Sequence, residues 1–149
     1  MRTLARYLAR FGFFAMASCA VLEEPVYLGA SNLPFSEAVR VGDMFYLSGQ
    51  IGTDPTLGVN GSGGIEEQTR RVMDRIGATL DKQGLNHSHI VKCTVMLIDM
   101  ADWPAFNKVY VTYFQPGKLP ARSAFAAAEL AMGSKLEVEC WAHIPSTQK

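Results

Sequence analysis

One arginine and one glutamate stand out because each places a charge among apolar residues. Arg122 lies in the segment LPARSAFA (119–126), which is otherwise small or apolar, and Glu137 lies in the alternating stretch 135–144. A guanidinium stays protonated in any surroundings and can donate two parallel hydrogen bonds to a carboxylate. A partly desolvated carboxylate can orient or deprotonate a water molecule. The residues could therefore bind a small anion and hydrolyse it, or they could simply pair with each other or with acids across an interface.

Other catalytic sets have little support in the sequence. There is no P-loop, no G-x-G-x-x-G at the start of a helix, no G-x-S-x-G elbow and no H-E-x-x-H. His87 and His89 occupy a loop without nearby acids or cysteines, so we expect them to be solvated and not to bind metal. His143, near the end of a strand, has no evident partner.

The three cysteines are too few and too scattered to predict a disulfide framework. Cys93 alternates with Val95 and Leu97, and Cys140 alternates with Val138 and Ala142. This spacing places each cysteine on the apolar face of a strand, where a small buried side chain is the expected role and a nucleophile is not.

Length and charge limit the classes of function. A chain of 149 residues has room for one domain with its own core. Fourteen basic and fourteen acidic residues balance, and no basic block occurs beyond the first ten positions. A nucleic-acid-binding protein normally carries a basic stripe, so we expect no nucleic-acid partner.

The first twenty residues resemble an export signal. Arg2, Arg6 and Arg10 precede a short apolar stretch and small residues, and the stretch is too short to span a bilayer. Met16-Ala17-Ser18-Cys19 loosely resembles a lipoprotein box, so Cys19 could carry a lipid anchor. Export to the periplasm is slightly favoured; an amphipathic transit peptide, or a true start at Met16 with a cytoplasmic protein, are the alternatives. The folded domain is predicted to span residues 25–147.

Patterns of period two and period 3.6 then predict the elements that position the charged residues. A loop rich in glycine covers 49–64, Asp102 is predicted to cap the second helix through its side chain, and Pro104 fits the first turn of that helix. Gly84 is expected at the end of the first helix. The predicted strands are 25–28, 37–41, 44–48, 90–98, 121–127 and 135–144, and the predicted helices are 65–83 and the segment following Asp102.

Both helices have one apolar stripe, which predicts an α+β fold with one mixed sheet and two helices packed on a single face. The other face is expected to carry Arg122 or its neighbours together with Glu137, Glu139 and Trp141. That mixture is too apolar for water and too charged for a core. We therefore expect another subunit to cover it and to leave a polar cleft between chains.

Several motifs in a fixed order resemble the Rid (reactive intermediate deaminase) family, also called YjgF or L-PSP. They are SGQ (48–50), N-x-x-Y-x-x-[FY]-F from Asn107, PARS (120–123) and E-V-E (137–139), and the similarity covers about residues 25–145. The resemblance implies a chorismate-mutase-like fold, a homotrimer with clefts between subunits, and hydrolysis of imines and enamines such as 2-aminoacrylate and 2-iminopropanoate to 2-oxo acids and ammonia. It implies no cofactor.

The resemblance also assigns roles to individual residues. Arg122 falls on the arginine that binds the substrate carboxylate, and Glu137 falls on the glutamate that helps to position the attacking water. Ser48 and Gly49 belong to the cleft wall, and Asn107 falls on an asparagine near the site.

Two positions depart from the family pattern. Phe35 replaces a common tyrosine, which removes a hydroxyl that could contact the ligand. Ala124 replaces a frequent cysteine but keeps a backbone N–H that can touch a carboxylate. An altered pocket of this kind is compatible with an imine that has a larger side chain.

Two other functions remain open at this point. One is a trimer that binds small carboxylates or exposed peptide, in the manner of a chaperone, without turnover. The other is ribonuclease activity, which the older family name suggests but which the chain does not favour, because it has no His/Lys pair and no basic groove.

Overall fold

A computed structural model describes residues 23–29, 32–54, 56–57 and 63–145 of the chain. Segment 1–20, with Cys19, lies outside the described residues. Apart from the short β4, the elements follow in the predicted order: β1 Val26–Leu28, β2 Ala38–Val41, β3 Met44–Leu47, β4 Gln50–Ile51, α1 Ile65–Asp81, β5 Ile90–Leu97, α2 Trp103–Tyr110, β6 Ala121–Ala126 and β7 Leu136–His143.

The described strands form one mixed sheet in the order β1-β2-β3-β7-β5-β6, and β4 also pairs with β7. Every pairing is antiparallel except β5 with β6, which are parallel and are connected through α2. The short β4 was missed from the sequence, because its two residues lie in the glycine-rich segment that was predicted to be a loop. Among the residues with described positions, no helix is long and apolar enough to cross a membrane.

Helix α1 forms where the apolar spacing predicted it and packs that stripe into the core. Val72, Ile76 and Leu80 are completely buried, and Glu66 and Glu67 lie in the first turn, where the helix dipole favours acids. The helix ends at Asp81, two residues earlier than predicted. Gly84 follows in the left-handed region at φ +70°, which confirms its predicted place at the C-terminal end.

The beginning of α2 differs from the prediction in one detail. Asp102 does not cap the helix through its side chain; it ends a short 3-10 turn, Met100–Asp102, and lies 3.9 Å from Lys135 in an ion pair. Asp99 caps that turn by accepting a hydrogen bond from the N–H of Ala101 at 2.8 Å. Pro104 occupies the first turn of α2 as predicted.

The predicted roles of two cysteines and one histidine need correction. Cys93 and Cys140 are fully buried as expected, but they form a disulfide, because β5 and β7 place them directly opposite each other with Cα atoms 4.1 Å apart. His87 is half-buried and not solvated. Its Nε2 lies 3.0 Å from the carbonyl oxygen of Met73, and its ring packs against Tyr113 at 5.0 Å between centroids.

The strand register also corrects the predicted face of Arg122. Arg122 pairs with Cys93, and Cys93 pairs with Cys140, so all three side chains point to the face that the helices cover. Glu137 is three residues from Cys140 on β7 and therefore points to the opposite face. The helices cover one face as predicted, but Arg122 lies on their side of the sheet.

Candidate active site

The guanidinium of Arg122 lies against three aromatic rings of α2. Its central carbon is 4.7 Å from the ring centroid of Trp103, 4.8 Å from that of Tyr110 and 5.5 Å from that of Phe106. Rings at these distances attract a cation through their quadrupoles. In the described part of the chain Arg122 forms no hydrogen bond and no ion pair, so its N–H groups are available to an anion.

Local sequence explains why Arg122 can reach these rings. Strand β6 is built largely from small residues, and its alternation directs Arg122 and Ala124 to the helix side, where both are half-buried. Ala124 packs against the edge of the core. The small side chains leave space above the strand, so a ligand could approach the guanidinium and the backbone of Ala124.

Two polar atoms on α2 are buried without a hydrogen-bond partner among the described residues: Oδ1 of Asn107 and the hydroxyl oxygen of Tyr110. Burial raises the pKa of Tyr110 to about 12, against a smaller lowering effect of the Arg122 charge, so the hydroxyl stays protonated near neutral pH. Unpaired buried polar groups are costly. A ligand or a second chain that reached this side of α2 could satisfy them.

Glu137 lies on the open face of the sheet, which the helices do not cover. It pairs in register with Ile51 of β4 and Met96 of β5, and it is half-buried. Burial, and secondarily the negative charge of Glu139, raise the pKa of the Glu137 carboxyl above its usual range. A raised pKa makes the carboxylate a stronger base than an ordinary glutamate.

Ser48 and Gly49 form the wall beside Glu137. The Ser48 hydroxyl donates a 2.6 Å hydrogen bond to the carbonyl oxygen of Ser36, which holds the segment containing Phe35 against this wall. A Cβ atom at Gly49 would overlap the Glu137 carboxylate, so glycine is required for the carboxylate to occupy its position. Ser48, Gly49 and Glu137 therefore lie together.

A groove of about 590 Å³ adjoins this wall, and Phe35 lies on its rim. Its lining is mostly apolar, and Leu33, Phe35 and Met132 keep half or more of their surface exposed at 58%, 53% and 50%. An apolar concavity with a few polar groups at its edge is the usual form of a small-molecule site. The groove is lined by Leu33, Phe35, Glu37, Gly49, Gln50, Ile51, Arg75, Ala78, Thr79, Lys82, Ala131 and Met132.

The predicted site residues therefore fall into two groups on one chain. The acid group contains Glu137 with its neighbours, and the arginine group contains Arg122 with its neighbours. Because Arg122 and Glu137 point to opposite faces of the sheet, one chain does not bring the two groups together, and the alternative that Arg122 and Glu137 pair within a chain is wrong. The acid group is Phe35, Ser48, Gly49 and Glu137, and the arginine group is Asn107, Arg122 and Ala124.

The role of the aromatic residues was only half predicted. Trp103, Phe106 and Tyr110 recur at helical spacing in the sequence, which predicts a core stripe, and Phe106 and Tyr110 are indeed buried. Their contact with Arg122 was missed, because it depends on the parallel register of β5 and β6. Across the described ranges, no group of three or more histidine, cysteine, aspartate or glutamate residues is arranged to hold a metal ion.

Comparison with known proteins identifies the class. The profile of the family described as Endoribonuclease L-PSP matches residues 28–144. The chain belongs to this family, also known as Rid or YjgF, which confirms the resemblance seen in the sequence.

Named relatives agree with this assignment. The chain is 42% identical over 106 residues to the 2-iminobutanoate/2-iminopropanoate deaminase of Mus musculus, with 71% of this chain and 78% of that protein covered. It is 41% identical over 115 residues to the protein of the same name from Rattus norvegicus, covering 77% and 80%. The crystal structure of RidA from a Psychrobacter species is 32% identical, has a TM-score of 0.68 and covers 79% of this chain and 94% of that one. The predicted fold is confirmed.

Proposed function

We propose that this protein hydrolyses small imines and enamines that carry a carboxylate, such as 2-aminoacrylate and 2-iminopropanoate. An enamine first tautomerises to the imine. Water then adds to the imine carbon, the carbon–nitrogen bond breaks, and the products are a 2-oxo acid and ammonia. Relatives that are 41–42% identical and are named imine deaminases support this reaction.

The observation that carries the proposal is the unpaired guanidinium of Arg122. Within the described residues it has ring contacts but no acidic partner, so a substrate carboxylate can accept two parallel hydrogen bonds from its in-plane N–H groups. The amide of Asn107 lies on the same side of the sheet as Arg122 and could add a contact, and the backbone N–H of Ala124, in the plane of the edge strand β6, could add another. Binding of this kind holds the conjugated imine in one orientation.

The proposed role of Glu137 is to position the attacking water molecule and to accept a proton from it. Its raised pKa keeps the carboxylate basic enough to accept a proton from the attacking water, and the protonated acid can return that proton to the leaving nitrogen. An imine conjugated to a carboxylate reacts readily, so anchoring the anion and placing one water molecule provide most of the required catalysis. This mechanism requires no cofactor or metal.

We further propose that the site is completed between chains. Arg122 and Glu137 are on opposite faces of one subunit, so a cleft that contains both needs Arg122 from one copy and Glu137 from the next, as in a homotrimer. The open face supports this arrangement, because it carries the exposed Phe125 and the Tyr46–Trp141 edge-on pair at 5.2 Å beside Glu137 and Glu139. A second chain would cover these rings.

The groove beside Gly49 is the proposed location of the substrate side chain. It is apolar, it adjoins the Glu137 carboxylate through Gly49, and Phe35 rather than tyrosine lies at its rim. Imines with longer apolar side chains than methyl or ethyl are therefore expected among the substrates.

The test is imine turnover by wild type and Arg122→Ala. Imines are generated in place by an amino-acid oxidase, and release of the 2-oxo acid is followed. We expect Arg122→Ala to lower kcat/KM by about 100-fold or more, because charge-assisted anion contacts of this kind have effects of that order. Lys118→Ala, which removes an exposed cation just before β6, is the matched control.

Equal rates for wild type and Arg122→Ala would contradict the proposal. Tight binding of 2-oxo acids without hydrolysis of any imine would favour the binding-protein alternative instead. RNA cleavage that survives in Arg122→Ala would indicate a contaminant or another site.

A further inference from the structure

We propose that Trp103 and Tyr110, backed by Phe106, act as positioning residues that hold Arg122 ready for a carboxylate. These three rings are called the aromatic clamp. This inference rests on the proposed function in one respect: it takes the carboxylate of the proposed substrate as the physiological ligand of Arg122. The chemical class that it assigns to the arginine side of the cleft is a small 2-oxo or 2-imino carboxylate.

The rings of the aromatic clamp pack against the guanidinium of Arg122 and against each other. Trp103 and Tyr110 approach the guanidinium most closely, at 4.7 and 4.8 Å, and Phe106 contacts it from 5.5 Å. Phe106 is fully buried and stacks on Tyr110 with centroids 5.2 Å apart and planes 30° apart. Trp103 packs on Phe106 at 6.4 Å. Neighbouring rings therefore brace each other along α2.

Aromatic rings can hold an arginine side chain in place without occupying its N–H groups. A carboxylate partner would occupy the guanidinium N–H groups and compete with an incoming anion. An aromatic ring instead attracts the cation through its face and leaves the in-plane N–H groups open. Among the described residues no acid lies within ion-pair distance of Arg122, which distinguishes it from Arg70 and Arg71, each paired with a glutamate.

Holding the side chain in advance should strengthen anion binding. A free arginine side chain loses much rotamer freedom when it binds, and a side chain that is already ordered loses less. The unpartnered Oδ1 of Asn107 and hydroxyl of Tyr110 lie on the same helix as the clamp. Their burial without partners in the described chain is a second sign that this side of α2 is built to receive another polar group.

The experiment measures binding of 2-oxobutanoate to the full chain by calorimetry. Trp103→Leu removes the ring while keeping an apolar side chain, and Trp103→Phe keeps a smaller ring. We expect affinity to fall about tenfold in Trp103→Leu and less in Trp103→Phe, in line with a partly desolvated cation–π contact. In imine turnover KM should rise in parallel, with a smaller change in kcat, because the lost contact acts on bound substrate and transition state alike.

Tyr113→Leu is the matched control for loss of an aromatic ring from the same segment. Its ring packs on His87, whereas the described rings that contact Arg122 are those of Trp103, Phe106 and Tyr110. We expect 2-oxobutanoate affinity close to wild type in this variant, and the melting temperature of each variant reports on folding.

Unchanged affinity in a folded Trp103→Leu, or an equal loss in Tyr113→Leu, would overturn the proposal. Failure of wild type to bind 2-oxobutanoate would overturn it as well, because the clamp then prepares no anion site. If 2-oxobutanoate binding depended on the aromatic clamp but no imine were hydrolysed, the proposed function would be refuted and the role of the clamp in anion binding would be supported.

Discussion

Arg122 and Glu137 point to opposite faces of the same sheet. Arg122 is in register with Cys93, Cys93 is in register with Cys140, and Glu137 follows three positions away on β7. An odd separation along a strand reverses the face. The two residues that motif similarity assigns to one reaction therefore do not meet on one face of a single chain.

Gly49→Ala should damage activity without damaging the fold. The added Cβ would overlap the Glu137 carboxylate, and because the obstacle is the end of a flexible side chain, Glu137 can rotate away at small cost. A catalytic group displaced by about 1 Å costs roughly 10- to 100-fold, so we expect a loss of that order in kcat/KM with little change in melting temperature.

Gly64→Ala is the control for Gly49→Ala, because a Cβ there meets no atom within 4 Å. Wild-type kcat/KM in Gly49→Ala would show that the position of Glu137 does not matter.

The pH dependence of kcat/KM should report on Glu137. The reaction needs the carboxylate, so activity is lost as pH falls through the pKa of this group. Burial and the charge of Glu139 raise that pKa, which places the acidic limb above the range of an ordinary glutamate. Glu139→Gln removes one of the two causes and should move the acidic limb to lower pH. If the acidic limb of the pH–rate profile did not move in Glu139→Gln, the assignment of that limb to Glu137 would be refuted.

Ala78→Phe should change the preference among substrates. Ala78 lies on the exposed side of α1 and lines the groove beside Gly49, so a phenyl ring there would fill part of the 590 Å³. We expect kcat/KM to fall about tenfold or more for an imine derived from leucine, since lost apolar contacts have effects of that size. The imine derived from alanine serves as the internal control. A parallel loss for both substrates would argue against a side-chain pocket.

The disulfide should contribute measurably to stability. It joins β5 to β7 across 47 positions of the chain, and cross-links of this kind typically add about 2–4 kcal/mol to the free energy of unfolding. The double variant Cys93→Ala/Cys140→Ala should unfold at a lower denaturant concentration than wild type, and reductant should not change its unfolding curve. Wild type should unfold at a lower denaturant concentration when reductant is present than when it is absent. Identical unfolding curves for wild type with and without reductant would contradict the bond.

A disulfide is also typical of proteins that fold in oxidising compartments. That segment 1–20 directs export stays a prediction. Mass spectrometry of the mature N-terminus would test that prediction and the lipid anchor at Cys19.

Alternation and helical spacing predicted most of the fold, because they record burial directly. The faces of β7 and the stripe of α1 are correct to within a residue or two at the ends. Strand β4 could not be predicted in the same way, since its two residues are held by pairing with β7 and not by their own pattern.

The residue pattern within each strand does not predict the register in which two strands pair. Cys93 and Cys140 were correctly placed on apolar faces, but their bond depends on the register of β5 against β7. The face of Arg122 depends on the parallel register of β6, whose small residues show little alternation in size. The aromatic clamp depends on the same register, since helical spacing predicts its three residues as a core stripe but does not predict their contact with Arg122.

Co-assembly of two inactive variants tests the central claim most directly. Arg122→Ala retains Glu137, and Glu137→Gln retains Arg122, so a cleft formed between one copy of each regains both groups. Co-expression at equal levels should restore about a quarter of wild-type kcat, because about one cleft in four then combines the two intact groups. Activity no greater than that of the separate variants, in oligomers shown by mass spectrometry to contain both, would contradict a site built from two chains.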